Sequence, residues 1–205
     1  MEKYIITIGR QLGSGGKIIG EKLAQKLNIA CYDKELINIA SKESGLGTEF
    51  FEKADEKSNF NALDSYFGFR TGYMGNGSVN CLCNETLFKI QSDVIRNIAG
   101  RESCIIVGRC ADYILRESNR LLRIFISAND NDRTKRLADS KNITEKEASV
   151  MIEHADKKRA AYYNYYSNKE WGNAASYDLC LNSSTLGIDL CVEMLEKCAG
   201  NIFRF

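Results

Sequence analysis

Proline is missing from this 205-residue chain, and histidine and tryptophan occur once each, as His154 and Trp171. The missing proline carries no functional reading. The single histidine does, because zinc centres group Cys and His ligands tightly. The eight cysteines form no CxxC pair and no Cys/His cluster. Cys81 and Cys83 make one CxC pair; Cys104, Cys180 and Cys191 sit in apolar runs and read as small buried hydrophobes. Neither a resident metal nor a redox pair is expected. Long apolar runs are missing too: none approaches the roughly 18 residues of a membrane span. The opening MEKYIITIGRQLGSGG is interrupted by Gly9 and Arg10, unlike a secretory leader. The expected location is the cytoplasm, with no membrane partner. Charge of one sign is also missing, with 28 Lys and Arg against 27 Asp and Glu. That balance argues against a general nucleic-acid binder and leaves room for a locally basic pocket.

The chain does have the composition of an ordinary soluble protein, 44% apolar and 27% charged. Its length suits a single domain, residues 1–205, with a full core. Tyr4 to Ile8 reads as a buried strand ending at a glycine-rich turn. Ile18, Ile19, Leu23, Ala24 and Leu27 then recur at helical spacing. Ile29 to Tyr32 reads as a second strand, with Asp33 as cap of a helix from Lys34. Residues 44–80 are rich in Gly, Asn, Ser and aromatics without periodicity, and read as an irregular insert. Asn84 is a candidate N-cap for a helix carrying Leu87, Gln91, Val94, Ile95 and Ile98. Further strands are expected at Cys104–Val107, Leu121–Ile126 and Tyr177–Asn182, and helices from about Asp130, from the Thr144/Glu147 capping box and along Ile188, Cys191, Val192 and Leu195. Strands alternating with helices predict an α/β fold with a five-stranded parallel sheet between helix layers.

The chemistry concentrates in Gly9-Arg10-Gln11-Leu12-Gly13-Ser14-Gly15-Gly16-Lys17, between the first strand and the first helix. There, backbone N–H groups and the positive helix end cradle phosphate oxygens, and glycine permits close approach. The loop departs from GxxxxGK[ST]. Read back from Gly16-Lys17, the pattern needs glycine at Gln11 and a hydroxyl at Ile18. Aligned on GSG, it puts Gly16 at the usual lysine position and Lys17 at the usual hydroxyl position. Ser14 is the nearest hydroxyl in either case.

Four segments carry a resemblance: ITIGRQLGSGGKIIGEKLA, YDKELI, CIIVGRCADYIL, and the run from DKKRAAYYNYY through WGNAASYDLCLNSSTLGID. In this order they resemble the P-loop nucleoside monophosphate kinases, in particular the cytidylate kinase-like family. The resemblance implies a P-loop NTPase-type three-layer fold with an acceptor-side insert and a helical lid at about 130–172. It implies phosphoryl transfer from ATP, with Mg accompanying the nucleotide, to CMP or dCMP. Arg10, Gly13, Ser14, Gly15, Gly16 and Lys17 would face the donor phosphates. Asp33, Arg109, Asp156 and Arg159 would bind the acceptor, and Lys17, Arg133, Arg136 and Arg159 would act in transfer. The acceptor-pocket arginine expected soon after Asp33 is absent; Lys34 and Lys42 are the nearby cations, and Arg70 is a replacement from the insert.

Plainer readings stand beside these. Arg109 pairs with a carboxylate such as Asp112. Arg133 and Arg136 form a solvated helix face. Asp156 and Arg159 make a helix-surface pair. The tyrosines at 162, 163, 165 and 166 are packing, and His154 is a surface residue. Another small-molecule acceptor, or a nucleotide-binding regulatory module with little turnover, are the rival functions.

Overall fold

A computed structural model describes residues 2–33 and 77–204. The helix expected from Lys34, the cations Lys42 and Arg70, and insert residues 44–76 lie outside the described residues. The chain divides into two compact units, one of Met1–Lys34 with Ile98–Phe205 and the other of Glu35–Asn97.

The first unit holds strands β1 (Ile5–Arg10), β2 (Ala30–Tyr32), β3 (Cys104–Val107), β4 (Leu121–Ser127) and β5 (Leu179–Asn182). All its strand pairings are parallel, in the order β2-β3-β1-β4-β5. Its helices are α1 (Gly16–Leu27), α3 (Ala111–Ile114), α4 (Asp130–Lys141), α5 (Glu145–Ser167) and α6 (Ser183–Phe203). Helix α2 (Gly77–Arg101) starts in the second unit and ends in the first.

Register explains the core. Ile6 lies opposite Ile105 and Leu122, and Ile8 opposite Val107 and Ile124. Alternation along each strand therefore puts these side chains on one face, where they join Ile19 and Leu23 of α1 and Cys191, Val192, Leu195 and Phe203 of α6. The Thr144 capping box forms as expected: its hydroxyl accepts the Glu147 N–H, and the Glu147 carboxylate accepts the Thr144 N–H at 2.9 Å. No described helix is long and apolar enough to cross a membrane.

Several expectations need correction. Helix α2 begins at Gly77, so Asn84 lies inside it rather than at its start, and residues 77–80 leave the irregular insert. No proline interrupts that stretch, and an asparagine inside a running helix costs only about 0.7 kcal/mol. Ile18 is exposed, because the buried stripe of α1 centres on Ile19, Leu23 and Ala24 and position 18 lies about 100° round the helix. Cys180 is exposed, since β5 is an edge strand whose alternate residue Leu181 takes the core side. Strand β5 starts at Leu179 because the Asp178 carboxylate is held by the Arg123 side chain, at 2.7 Å from Nη2, and by the Arg123 N–H. Helix α6 is broken at Gly187, whose φ of 75° and ψ of 165° no helix accommodates.

Leu195 is fully buried where α6 meets the sheet. Leu195→Ala is expected to cost about 2–5 kcal/mol of unfolding free energy, a cavity penalty on top of lost burial. Urea denaturation followed by circular dichroism measures it.

Candidate active site

Parallel strands deliver their carboxyl ends to one rim of the sheet, where open α/β folds bind ligands. Here that rim carries Arg10 at the end of β1, Asp33 after β2, and Gly108-Arg109 after β3. The glycine loop leaves β1 and enters α1 on the same rim.

The loop's carbonyls are taken by the protein. Arg10 O accepts Arg159 Nη1 at 3.0 Å, Leu12 O accepts Arg133 Nε at 2.9 Å, and Gly13 O accepts Arg136 Nη1 at 2.5 Å. Gln11 O accepts the Ser14 hydroxyl at 2.9 Å, and Ser14 O accepts the Ser183 hydroxyl at 2.6 Å. Gly15 O accepts the Ile19 N–H at 2.9 Å. The loop's N–H groups are treated differently. Those of Gln11 and Leu12 are satisfied by Ile126 O and the Asp156 carboxylate. Among the described residues, the N–H groups of Gly13, Gly15 and Gly16 meet no acceptor. Gly13 and Gly15 have φ of 78° and 79°, the left-handed region that glycine enters without penalty. Unmatched backbone donors at a helix N-terminus form an anion cradle.

The expected site residues surround this loop, all within the first unit. Arg133 is buried rather than part of a solvated face; it reaches Leu12 O, Asp130 and Asp156. The Asp156 carboxylate bridges the Leu12 N–H at 2.8 Å and Arg133, and lies 3.7 Å from Arg159, so the i,i+3 pair exists but is also part of the loop's support. Lys17 pairs with Asp33 at 2.6 Å and with Glu21 at 3.9 Å. The Ser14 hydroxyl points into the loop, and the Ser14 side chain is buried. Arg109 lies with its guanidinium 5.9 Å from the Tyr162 ring centroid. It occupies a strained turn in which Gly108, Arg109 and Cys110 have φ of 83°, 62° and 53°. Asp112 is taken up by the Tyr163 hydroxyl, which donates to it at 2.7 Å. His154 is exposed, as expected.

Electrostatics at this rim favour an anion. Desolvation, then the Arg159 and Arg109 charges, pull Arg10 down to about 9 against the opposing pull of Asp33 and Asp156. Desolvation also lowers Arg109 and Arg159. These cations crowd a poorly hydrated space, and a bound polyanion relieves both their repulsion and their lost hydration. Gln11, Ser183, Asp112 and Tyr163 were not singled out by sequence as site residues. Gln11 Oε1 accepts the Ala128 N–H, and Ser183 and Tyr163 contact residues far away in sequence, so no local pattern signals them.

Residues 5–185 match the model of the cytidylate kinase-like family. A cytidylate kinase of Methanosphaera stadtmanae is 25% identical over 200 residues, covering 96% of this chain and 98% of that one. A crystal structure of an uncharacterized protein from Eubacterium ventriosum is similar with a TM-score of 0.73 at 28% identity, covering 96% and 98% of the two chains. A shikimate kinase from Bacteroides thetaiotaomicron is similar with a TM-score of 0.53 at 15% identity, covering 95% and 97%, a likeness of fold alone.

Removing Asp156 leaves buried Arg133 without its carboxylate and Leu12 without its acceptor. Asp156→Ala is therefore expected to destabilise the protein by about 3–5 kcal/mol. Thermal unfolding by calorimetry reads this out; an unchanged midpoint contradicts the support role.

Proposed function

This chain belongs to the cytidylate kinase-like family and has the α/β fold of the P-loop NTPases, and we propose that it transfers the γ-phosphoryl group of ATP to a nucleoside monophosphate, CMP or dCMP, in the cytoplasm. One observation carries the reading: the N–H groups of Gly13, Gly15 and Gly16 are unmatched among the described residues, on a loop whose carbonyls at Arg10, Leu12 and Gly13 are held by Arg159, Arg133 and Arg136. That arrangement suits phosphoryl transfer, where alignment and charge neutralisation do most of the catalysis.

In this reading a phosphate oxygen of the acceptor forms a bond to the γ-phosphorus. The bond from that phosphorus to the β–γ bridging oxygen breaks, and ADP leaves with the electron pair. Gly13 to Lys17 hold the donor phosphates. Mg brought in with the nucleotide would supply further neutralisation, and Asp33, which pairs with Lys17, would bind the acceptor. Arg109 orients the acceptor phosphate with its planar fork. Asp156 and Arg159 of α5, which hold the Leu12 N–H and the Arg10 carbonyl, would also meet the acceptor, and Arg133 and Arg136 fix the loop from α4. Residues 130–172 would serve as the lid. A second reading, nucleotide binding with little turnover, is favoured by Ile18, which stands where a hydroxyl is usual and is exposed.

Wild-type protein is expected to melt at higher temperature with ATP and Mg and to convert CMP or dCMP to its diphosphate. Arg109→Lys should keep the ATP-dependent shift and lose about tenfold to a hundredfold in rate, the value of one charge-assisted contact. A coupled ADP-release assay over CMP, dCMP, UMP and AMP measures this. An ATP shift with no turnover of any acceptor selects the regulatory reading, and equal rates in both proteins remove Arg109 from the acceptor site.

A further inference from the structure

Aligned on GSG, the loop has glycine where phosphate-binding loops of this type carry their lysine, at Gly16. Lys17, the neighbouring cation, is turned towards the β2 side, where Asp33 and Glu21 compensate its charge. The space at Gly16 is not empty. A β-carbon built there would stand 2.6 Å from Arg10 Cβ, 3.0 Å from Arg10 Cγ and 3.4 Å from Ile126 Cβ. The backbone itself does not demand glycine, because Gly16 is absent from the positive-φ residues of the chain. What excludes a side chain at position 16 is the stem of Arg10, close to the main chain where it cannot swing away.

The other end of Arg10 lies at a second glycine, one whose φ of 83° itself favours glycine. Its guanidinium rests against Gly108, whose hypothetical β-carbon would fall on Arg10 Nη1. Arg10 thus crosses the rim from the end of β1, over Gly16, to the end of β3, and its head comes to the glycine that precedes Arg109. Arg159 fixes the Arg10 carbonyl at 3.0 Å. None of the ion pairs among the described residues involves Arg10. Its head therefore stands between the donor loop and the turn of Arg109, where a phosphoryl group would pass from one to the other.

We propose that Arg10 replaces the loop lysine: position 16 is glycine because the cation reaches the outer phosphate of the donor from position 10 instead. The inference rests on the kinase reading above. An arginine from the strand brings a fork that spans two phosphate oxygens where lysine offers a point charge. It also accounts for glycine at 16, where the backbone does not demand it and the Arg10 stem leaves no room for a β-carbon.

The test is a positional swap. Arg10→Gly removes both the cation and the β-carbon that blocks position 16; Arg10→Ala would leave that β-carbon in place. Gly16→Lys alone drives a side chain into Arg10. The double variant, Arg10→Gly with Gly16→Lys, restores a lysine at the loop's end in the space vacated. ATP-dependent thermal shift and phosphoryl transfer to CMP are measured for all four proteins, with circular dichroism to confirm folding. Arg10→Gly is expected to lose about tenfold to a hundredfold in transfer rate, and Gly16→Lys to fall as well. The double variant is expected to exceed both single variants, a non-additivity that only a shared site produces. Arg10→Met keeps the stem over Gly16 without the charge; it should stay folded and lose as much rate as Arg10→Gly, while added methylguanidinium should partly restore Arg10→Gly, whose side-chain space is vacated. The proposal is overturned if folded Arg10→Met transfers as fast as wild type, or if the double variant is no better than Arg10→Gly. If wild type itself shows no ATP-dependent shift, the kinase reading fails with it; a normal wild-type shift and rate matched by Arg10→Met overturns this inference alone.

Discussion

The carboxylate of Asp156 is the contact on which the glycine loop depends. It takes the Leu12 N–H on one oxygen and the buried Arg133 guanidinium on the other, and Arg133 in turn holds the Leu12 carbonyl. A loop that leaves several N–H groups unmatched cannot stabilise itself by ordinary backbone pairing. Its shape has to be imposed from outside. Here the imposition comes through α4 and α5, whose arginines take the carbonyls of Arg10, Leu12 and Gly13, and through Ser183 at the start of α6, which takes that of Ser14. Carbonyls tied outward leave the donors of Gly13, Gly15 and Gly16 for an anion.

The same contacts have an electrostatic cost. Arg10, Arg109 and Arg159 lie close enough to disfavour one another's charge or to lose hydration together, and Asp33 and Asp156 offset only part of this. Stability given up at a site is a common companion of function, because the ligand later supplies the missing charge. The strained turn at Gly108, Arg109 and Cys110 fits the same pattern: consecutive left-handed residues persist only where surrounding contacts hold them. The buried bond from Tyr163 to Asp112 is one such contact, joining α5 to the element just after that turn.

Much of this was legible beforehand. Five short apolar runs became five parallel strands, and the Thr144/Glu147 box starts α5 as read. The glycine loop sits between β1 and α1. The misreadings share a cause. Asn84 looked like a cap because asparagine favours caps, but a helix already running from Gly77 passes through it. Ile18 and Cys180 looked buried because they are apolar, yet burial is decided by which neighbours cover a face, and position 18 and the edge strand β5 have few.

Sequence by itself determined the alternation of elements and the place of the glycine loop, since both are written in local spacing and residue type, while the arginines around the loop were named only through the family resemblance. The tertiary structure alone decided what those arginines touch. Arg133 and Arg136, which a helical repeat would assign to solvent, reach across more than a hundred residues of sequence to the loop's carbonyls. Arg10 lies over Gly16 and ends at Gly108 because β1 and β3 are neighbours in register, Ile8 opposite Val107. Pairing of distant strands sets such contacts, and no local pattern encodes which strand lies beside which.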